Sequence, residues 1–219
     1  MTNILENSVP VDKVYVINLK RRPDRLKKWI SNNSKFFSNE QLYIFEAIEP
    51  KKYDLKQWPF EPGALGCLES HLGVLKHARD HDYGNILIFE DDSILKENFG
   101  TLFFEHIEVL PNKWNIFYLF SQHYLPANDY NNLLVKCNST LSTVAYMLNK
   151  TSYNFFIELL ELKSKQVDVI FAQLHYIIDA YASKNNLCDH EDLFDSDVIH
   201  RKLAIKSNLF QKFLSKIKG

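Results

Sequence analysis

The alternation of apolar and polar positions divides the chain into strands and helices joined by polar turns. Residues 13–19 (KVYVINL) carry Val14, Val16, Ile17 and Leu19, which predicts a buried strand with Asn18 near its carboxyl end. Pro23 and Asp24 suit the first turn of a helix whose buried face is Leu26, Trp29 and Ile30. Residues 42–45 predict a second strand, and 50–62, with three prolines and no periodicity, a loop. Leu68, Leu72 and Leu75 then recur at helical spacing, Asp82-Tyr83-Gly84-Asn85 is turn chemistry, and Ile86-Leu87-Ile88-Phe89 is an unbroken apolar run. Such a run fits a strand covered on both faces. Phe99, Leu102, Phe103, His106, Ile107 and Leu110 predict a helix stopped by Pro111, with His106 a packed core histidine. Strands are expected at 115–120, near 133–135 and across 143–148, with a polar, aromatic loop at 121–132. Thr151 or Ser152 caps a helix carrying Tyr153, Phe156, Ile157 and Leu160. A further helix is expected over 167–182 and an acidic loop over 188–197. Strands alternate with helices and then cluster, which indicates a mixed sheet in one α/β domain spanning 1–219.

Composition narrows the classes. A chain of 219 residues can bury a sizeable core, and a net charge of −1 gives no global field to recruit nucleic acid. No apolar run approaches a membrane span, and the first dozen residues have no signal-peptide pattern. Cys67, Cys137 and Cys188 are odd in number and widely spaced, against a disulfide framework or a CxxC metal site. These features point to a cytoplasmic, reducing location.

Chemistry concentrates at Glu90-Asp91-Asp92, directly after the apolar run. In open α/β sheets the carboxyl ends of strands are where ligands bind. Three adjacent acids repel one another and are costly to desolvate without a partner. A divalent cation with bound phosphates resolves that conflict, since hard oxygen ligands suit Mg²⁺ and Mn²⁺. The plainer alternative is that Asp92 or Ser93 caps a following helix and the other acids are solvated. Lys20-Arg21-Arg22, between the first strand and its helix, either holds phosphate or is a solvated basic helix start.

Taken together, VINLKRRPDR (16–25), PGALGCLESHLGVLKHA (62–78), ILIFEDD (86–92) and TVAYMLN (143–149) resemble glycosyltransferase family 25. That family holds lipooligosaccharide and collagen galactosyltransferases. QVDVIF (166–171) resembles a later segment of the family, with Gln166 in place of proline, and DLFDSDVIH (192–200) is a looser likeness to its C-terminal motif. The resemblance implies a GT-A-like nucleotide-sugar-binding fold with a mixed, mostly parallel sheet. It implies a UDP-sugar donor, commonly UDP-galactose, a divalent metal (Mn²⁺ or Mg²⁺) and inversion at the anomeric carbon. The acceptor is then a glycan or lipid-linked glycan, as in lipooligosaccharide biosynthesis.

On this reading Asp92 and Glu90 hold the metal, and Glu90 or Asp91 contacts the ribose or the metal. Asn18, Arg22 and Arg25 bind nucleotide or diphosphate, and Ser70 and His71 face the donor, although His71 also suits a structural role. Asp168, at a helix start in the segment that resembles the family's, is the expected base; a carboxylate complementing the helix dipole is the alternative. A catalytically inactive carbohydrate- or nucleotide-binding protein on the same fold is the rival function. The tail, 201–219, is basic and amphipathic: it either lies on an anionic membrane surface or packs on the domain.

Overall fold

The computed structural model describes residues 11–50, 56 and 58–191. The likeness at 192–200 and the basic tail at 201–219 lie outside the described residues.

The central sheet is built on β1 (Val11–Asn18), flanked by β2 (Leu42–Glu46) and β3 (Asn85–Glu90), both parallel to it. It continues through β10 (Ala145–Asn149), β5 (Ile116–Tyr118), β11 (Ala180–Ser183), β8 (Leu134–Lys136) and β7 (Asn128–Asp129). Only β10 and β8 run against the other six strands, so the sheet is mixed and mostly parallel.

Both faces are covered, which is why the strand sequences lack polar alternation. Tyr15, Ile17, Ile86, Ile88, Tyr146 and Leu148 point to one face. There they meet α2 (Pro62–Asp80), α4 (Tyr153–Glu161) and α5 (Val167–Leu174). Val14, Val16, Leu87, Phe89 and Met147 point to the other face, covered by α1 (Pro23–Asn33) and α3 (Phe99–Glu108). On that side Trp29, Phe37, Phe89 and Phe99 form one aromatic cluster. His106 is buried there, as expected of a core histidine.

Four local expectations are corrected. The helix over 167–182 stops at Leu174: the N–H groups of Ile177 and Ile178 both bond to Leu174 O, which turns Tyr176 and Ile177 into solvent. The chain then enters β11, fully buried between β5 and β8, so tertiary pairing overrides a continuing apolar pattern. The loop expected at 121–132 contains β6 (Gln122–Leu125), paired with β9 (Ser139–Leu141), as well as β7. The acidic loop begins with β12 (Cys188–His190), which pairs with β4 (Ser93–Leu95). Ser93 therefore caps no helix; it begins a strand and accepts a hydrogen bond from Trp29 Nε1 at 2.8 Å.

Candidate active site

Strand register brings the chemistry to one edge. Ile17 sits opposite Glu90 and Asn18 opposite Glu46, so β1, β2 and β3 end side by side. β10 enters antiparallel with Ala145 opposite Phe89, which puts 142–144 at the same edge. The first turns of α2 start there too. Together they enclose a cavity of about 560 Å³. Its polar wall is Arg21, Arg25, Ser70, His71 and the Glu90-Asp91-Asp92 triplet, and its apolar wall includes Ile17, Ile48, Pro50 and Pro62. That volume is in the usual range for small-molecule sites.

The triplet is divided among different partners. Arg25, buried on α1, places Nη1 3.1 Å from Asp91 Oδ1 and Nη2 2.9 Å from Asp92 Oδ2. Asn18 Nδ2 donates to Asp91 Oδ2 at 2.6 Å and to Arg22 O at 2.9 Å, tying the strand end to the basic loop. Burial nevertheless outweighs the guanidinium: it pushes Asp91 up to about 6 and, with the Glu90 charge adding to it, Asp92 up to about 7. Asp92 Oδ1 is buried with no hydrogen-bond partner. A pair of under-compensated carboxylates with one unpartnered oxygen suits a hard divalent cation, so these residues fit the ion that the resemblance implies.

Glu90 faces a different set. It accepts a hydrogen bond from the Thr143 hydroxyl at 2.6 Å, and its Oε1 lies 3.4 Å from His71 Nε2. Burial alone would raise its pKa; His71, Thr143 and Arg25 outweigh burial and hold it below the ordinary value. Thr143 is aimed by a strained neighbour: Ser142 has φ 95, a conformation costly for any residue with a side chain. The other ring nitrogen of His71 bonds to the Tyr146 hydroxyl at 2.7 Å.

The remaining expected residues are placed as follows. Ser70 Oγ donates to Gly66 O at 2.6 Å and accepts from Ile48 N at 2.8 Å, so it clamps the loop after β2 onto α2 at the cavity wall. Arg22 reaches Asp24, with Nη2 3.0 Å from Oδ2, and does not line the cavity. Its neighbour Arg21 does, 2.8 Å from Glu49. Asp168 is in the first turn of α5, where its Oδ1 accepts from Val169 N at 2.8 Å. It lies outside the cavity lining, but burial and then the Glu90 charge raise its pKa, so the two carboxylates are within electrostatic reach. Glu191 donates its N–H to Asp92 O at 3.0 Å, and its carboxylate pairs with Lys28.

Cys67, Thr143 and Tyr146 are site residues that the sequence reading left unused. For Cys67 a signal existed, since it precedes His71 by four residues on a helix. Thr143 and Tyr146 carry no local signal; only the register of β10 against β3 brings them in.

Comparison with known proteins agrees with this architecture. A profile of Glycosyltransferase family 25 (LPS biosynthesis protein) matches residues 11–171, most of the chain. The chain belongs to glycosyltransferase family 25. Procollagen galactosyltransferase 2 of Mus musculus is 26% identical over a 129-residue alignment covering 49% of this chain and 20% of that protein. Procollagen lysyl hydroxylase and glycosyltransferase of Acanthamoeba polyphaga mimivirus is 26% identical over 168 residues, covering 63% of this chain and 18% of that protein. The family 25 chain therefore spans about a fifth of the length of these relatives. Among solved structures, mannose-1-phosphate geranyltransferase from Thermus thermophilus superposes with a TM-score of 0.51 at 8% identity, covering 83% of this chain and 76% of that one. The likeness is one of fold, and the fold is α/β and GT-A-like. No described helix is long and apolar enough to cross a membrane.

Proposed function

We propose that this family 25 chain transfers a sugar, with galactose the first candidate, from a UDP-sugar to a glycan or lipid-linked glycan hydroxyl with inversion. The observation that carries the reading is the buried Asp92 Oδ1, unpartnered beside a cavity lined by Arg25 and the Glu90-Asp91-Asp92 triplet. Family membership and the galactosyltransferase relatives supply the reaction class. A cytoplasmic location is part of the same proposal.

In this scheme Asp92 and Glu90 hold Mn²⁺ or Mg²⁺. The chemistry such an ion supplies when bound is neutralisation of the charge that gathers on a departing diphosphate. Arg25 keeps Asp91 and Asp92 oriented, and Asn18 fixes Asp91 for contact with the ribose or the metal. Ser70 and His71 form the donor-facing wall of α2, with Arg22 at the basic loop. Asp168, whose carboxyl burial holds above the ordinary carboxylate range and so makes a stronger proton acceptor when ionised, is the proposed base.

Asp92→Asn tests the reading, because it keeps shape and removes charge. Calorimetric titration with UDP, with and without Mn²⁺, should show metal-dependent binding in the wild type and its loss in the variant. Unchanged metal dependence in Asp92→Asn would remove the triplet from the metal site.

A further inference from the structure

Cys67 and His71 stand one helical turn apart on α2, so both side chains leave the same face. Glu90 arrives opposite them from the end of β3. The Cys67 Sγ, a His71 ring nitrogen and a Glu90 carboxylate oxygen lie within 4.8 Å of one another. Among the described residues no other three such side chains converge this closely. His71 Nε2 and Glu90 Oε1 are 3.4 Å apart. That is about the spacing two ligands adopt on a tetrahedral zinc ion with bonds of about 2.0–2.1 Å.

His71 is fully buried, and its Nε2 has no hydrogen-bond partner, which is rare for a buried polar atom. The opposite ring nitrogen is held by the Tyr146 hydroxyl at 2.7 Å. Metal-binding histidines are held in this way, with one nitrogen fixed by a hydrogen bond and the other aimed at the ion. The Thr143 hydroxyl donates to Glu90 Oε1 at 2.6 Å and so fixes that carboxylate in place. The thiol and the imidazole set this group apart from the hard carboxylates of Asp91 and Asp92, which Arg25 holds. A thiolate, an imidazole and a carboxylate together favour zinc-class ions over Mg²⁺.

We propose that Cys67, His71 and Glu90 form a second cation site, for a borderline-soft ion of the zinc class, with its fourth position open to the cavity. As the metal–sulfur bond forms, the Cys67 thiol gives its proton to solvent. The site goes beyond the transferase reading and stands or falls separately from it. Because it engages Glu90, zinc bound there also opposes binding of UDP with Mn²⁺ or Mg²⁺.

Cobalt(II) serves as the spectroscopic stand-in for zinc. Metal-free full-length chain titrated with cobalt(II) should develop thiolate-to-cobalt charge-transfer absorption in the near ultraviolet. It should also show visible bands of tetrahedral intensity, saturating at one equivalent and displaced by zinc. Cys67→Ser should abolish the charge-transfer band and weaken zinc binding at least about tenfold, since loss of a ligand exceeds loss of its outer support. Asp92→Asn should keep the band, so failure here is distinguishable from failure of the transferase proposal. X-ray absorption of the zinc-loaded wild type provides the check that needs no variant: one sulfur with nitrogen and oxygen neighbours is expected. An all-nitrogen-and-oxygen shell, no charge-transfer band in the wild type, or a band surviving in Cys67→Ser would overturn the site.

Discussion

Arg25 Nη2 lies 2.9 Å from Asp92 Oδ2, and the same guanidinium reaches Asp91 Oδ1 at 3.1 Å. One buried cation thus spans two consecutive carboxylates, a geometry that only a planar fork provides. Removing it leaves both acids buried without their ion-pair partner. Arg25→Met should cost about 3–5 kcal/mol of stability, read as a lower urea midpoint. Arg25→Lys should recover only part of that, because a point charge cannot serve both aspartates. An unchanged midpoint in Arg25→Met would show that the pair is not holding the strand end.

Asp168 should matter to turnover more than to binding. Its carboxylate is positioned by α5 and lies outside the cavity lining, near Glu90. Asp168→Asn is expected to lower kcat by at least about a hundredfold, the low end of general-base effects, with the donor KM little changed. Steady-state kinetics with saturating acceptor separates the two; near-normal kcat would shift attention to Glu191, anchored beside Asp92.

Gly66 is required by close approach. A Cβ there would lie 2.6 Å from Ile48 O and 3.1 Å from Pro50 Cδ, both on the cavity wall. Helix propensity favours Gly66→Ala by about 1 kcal/mol, whereas overpacking against backbone costs about 1–3 kcal/mol. The net expectation is a loss of up to about 2 kcal/mol in denaturant unfolding, accompanied by weaker UDP binding. Gly84→Ala is the control: its Cβ would meet the movable Asp12 carboxylate at 3.0 Å, so the loss should be smaller.

His175 makes stability depend on pH. It is buried, accepts the Thr140 N–H at Nδ1 (3.1 Å) and contacts the Tyr118 hydroxyl through Nε2 (3.0 Å). Burial, reinforced by the His123 charge, lowers its pKa from 6.5 to about 4. Between those values the unfolded chain binds the extra proton. The histidine's contribution is therefore complete above about pH 6.5 and is lost as pH falls toward 4. From pH 7.5 to pH 5 this should remove about 2 kcal/mol. Urea melts at the two values should show that component in the wild type and lack it in His175→Gln; a His175 ring that NMR finds protonated at pH 5.5 would refute it.

The local pattern of the chain was sufficient for the parts whose cause is local. The unbroken run Ile86–Phe89 implied burial on both faces, and Ile86 and Ile88 do pack on one side while Leu87 and Phe89 pack on the other. The position of Glu90-Asp91-Asp92 at a strand's carboxyl end followed from adjacency, as did Asn18 at the end of β1. Periodicity records whether a residue is buried, and sequence neighbours share that record. Which residue meets which across the fold is not recorded there. Asn18 and Asp91 are 73 residues apart and bond only because β1 and β3 pair in register. Thr143 and Tyr146 enter the site through the antiparallel insertion of β10, and β11 is a strand rather than the end of a helix because β5 and β8 leave a place between them. Arg25, read as a ligand of nucleotide or diphosphate, lines the cavity and is also the counter-ion that Asp91 and Asp92 share, a pairing no local pattern records. Those pairings follow from the order and register of strands, set by the summed burial of the whole core rather than by any one segment.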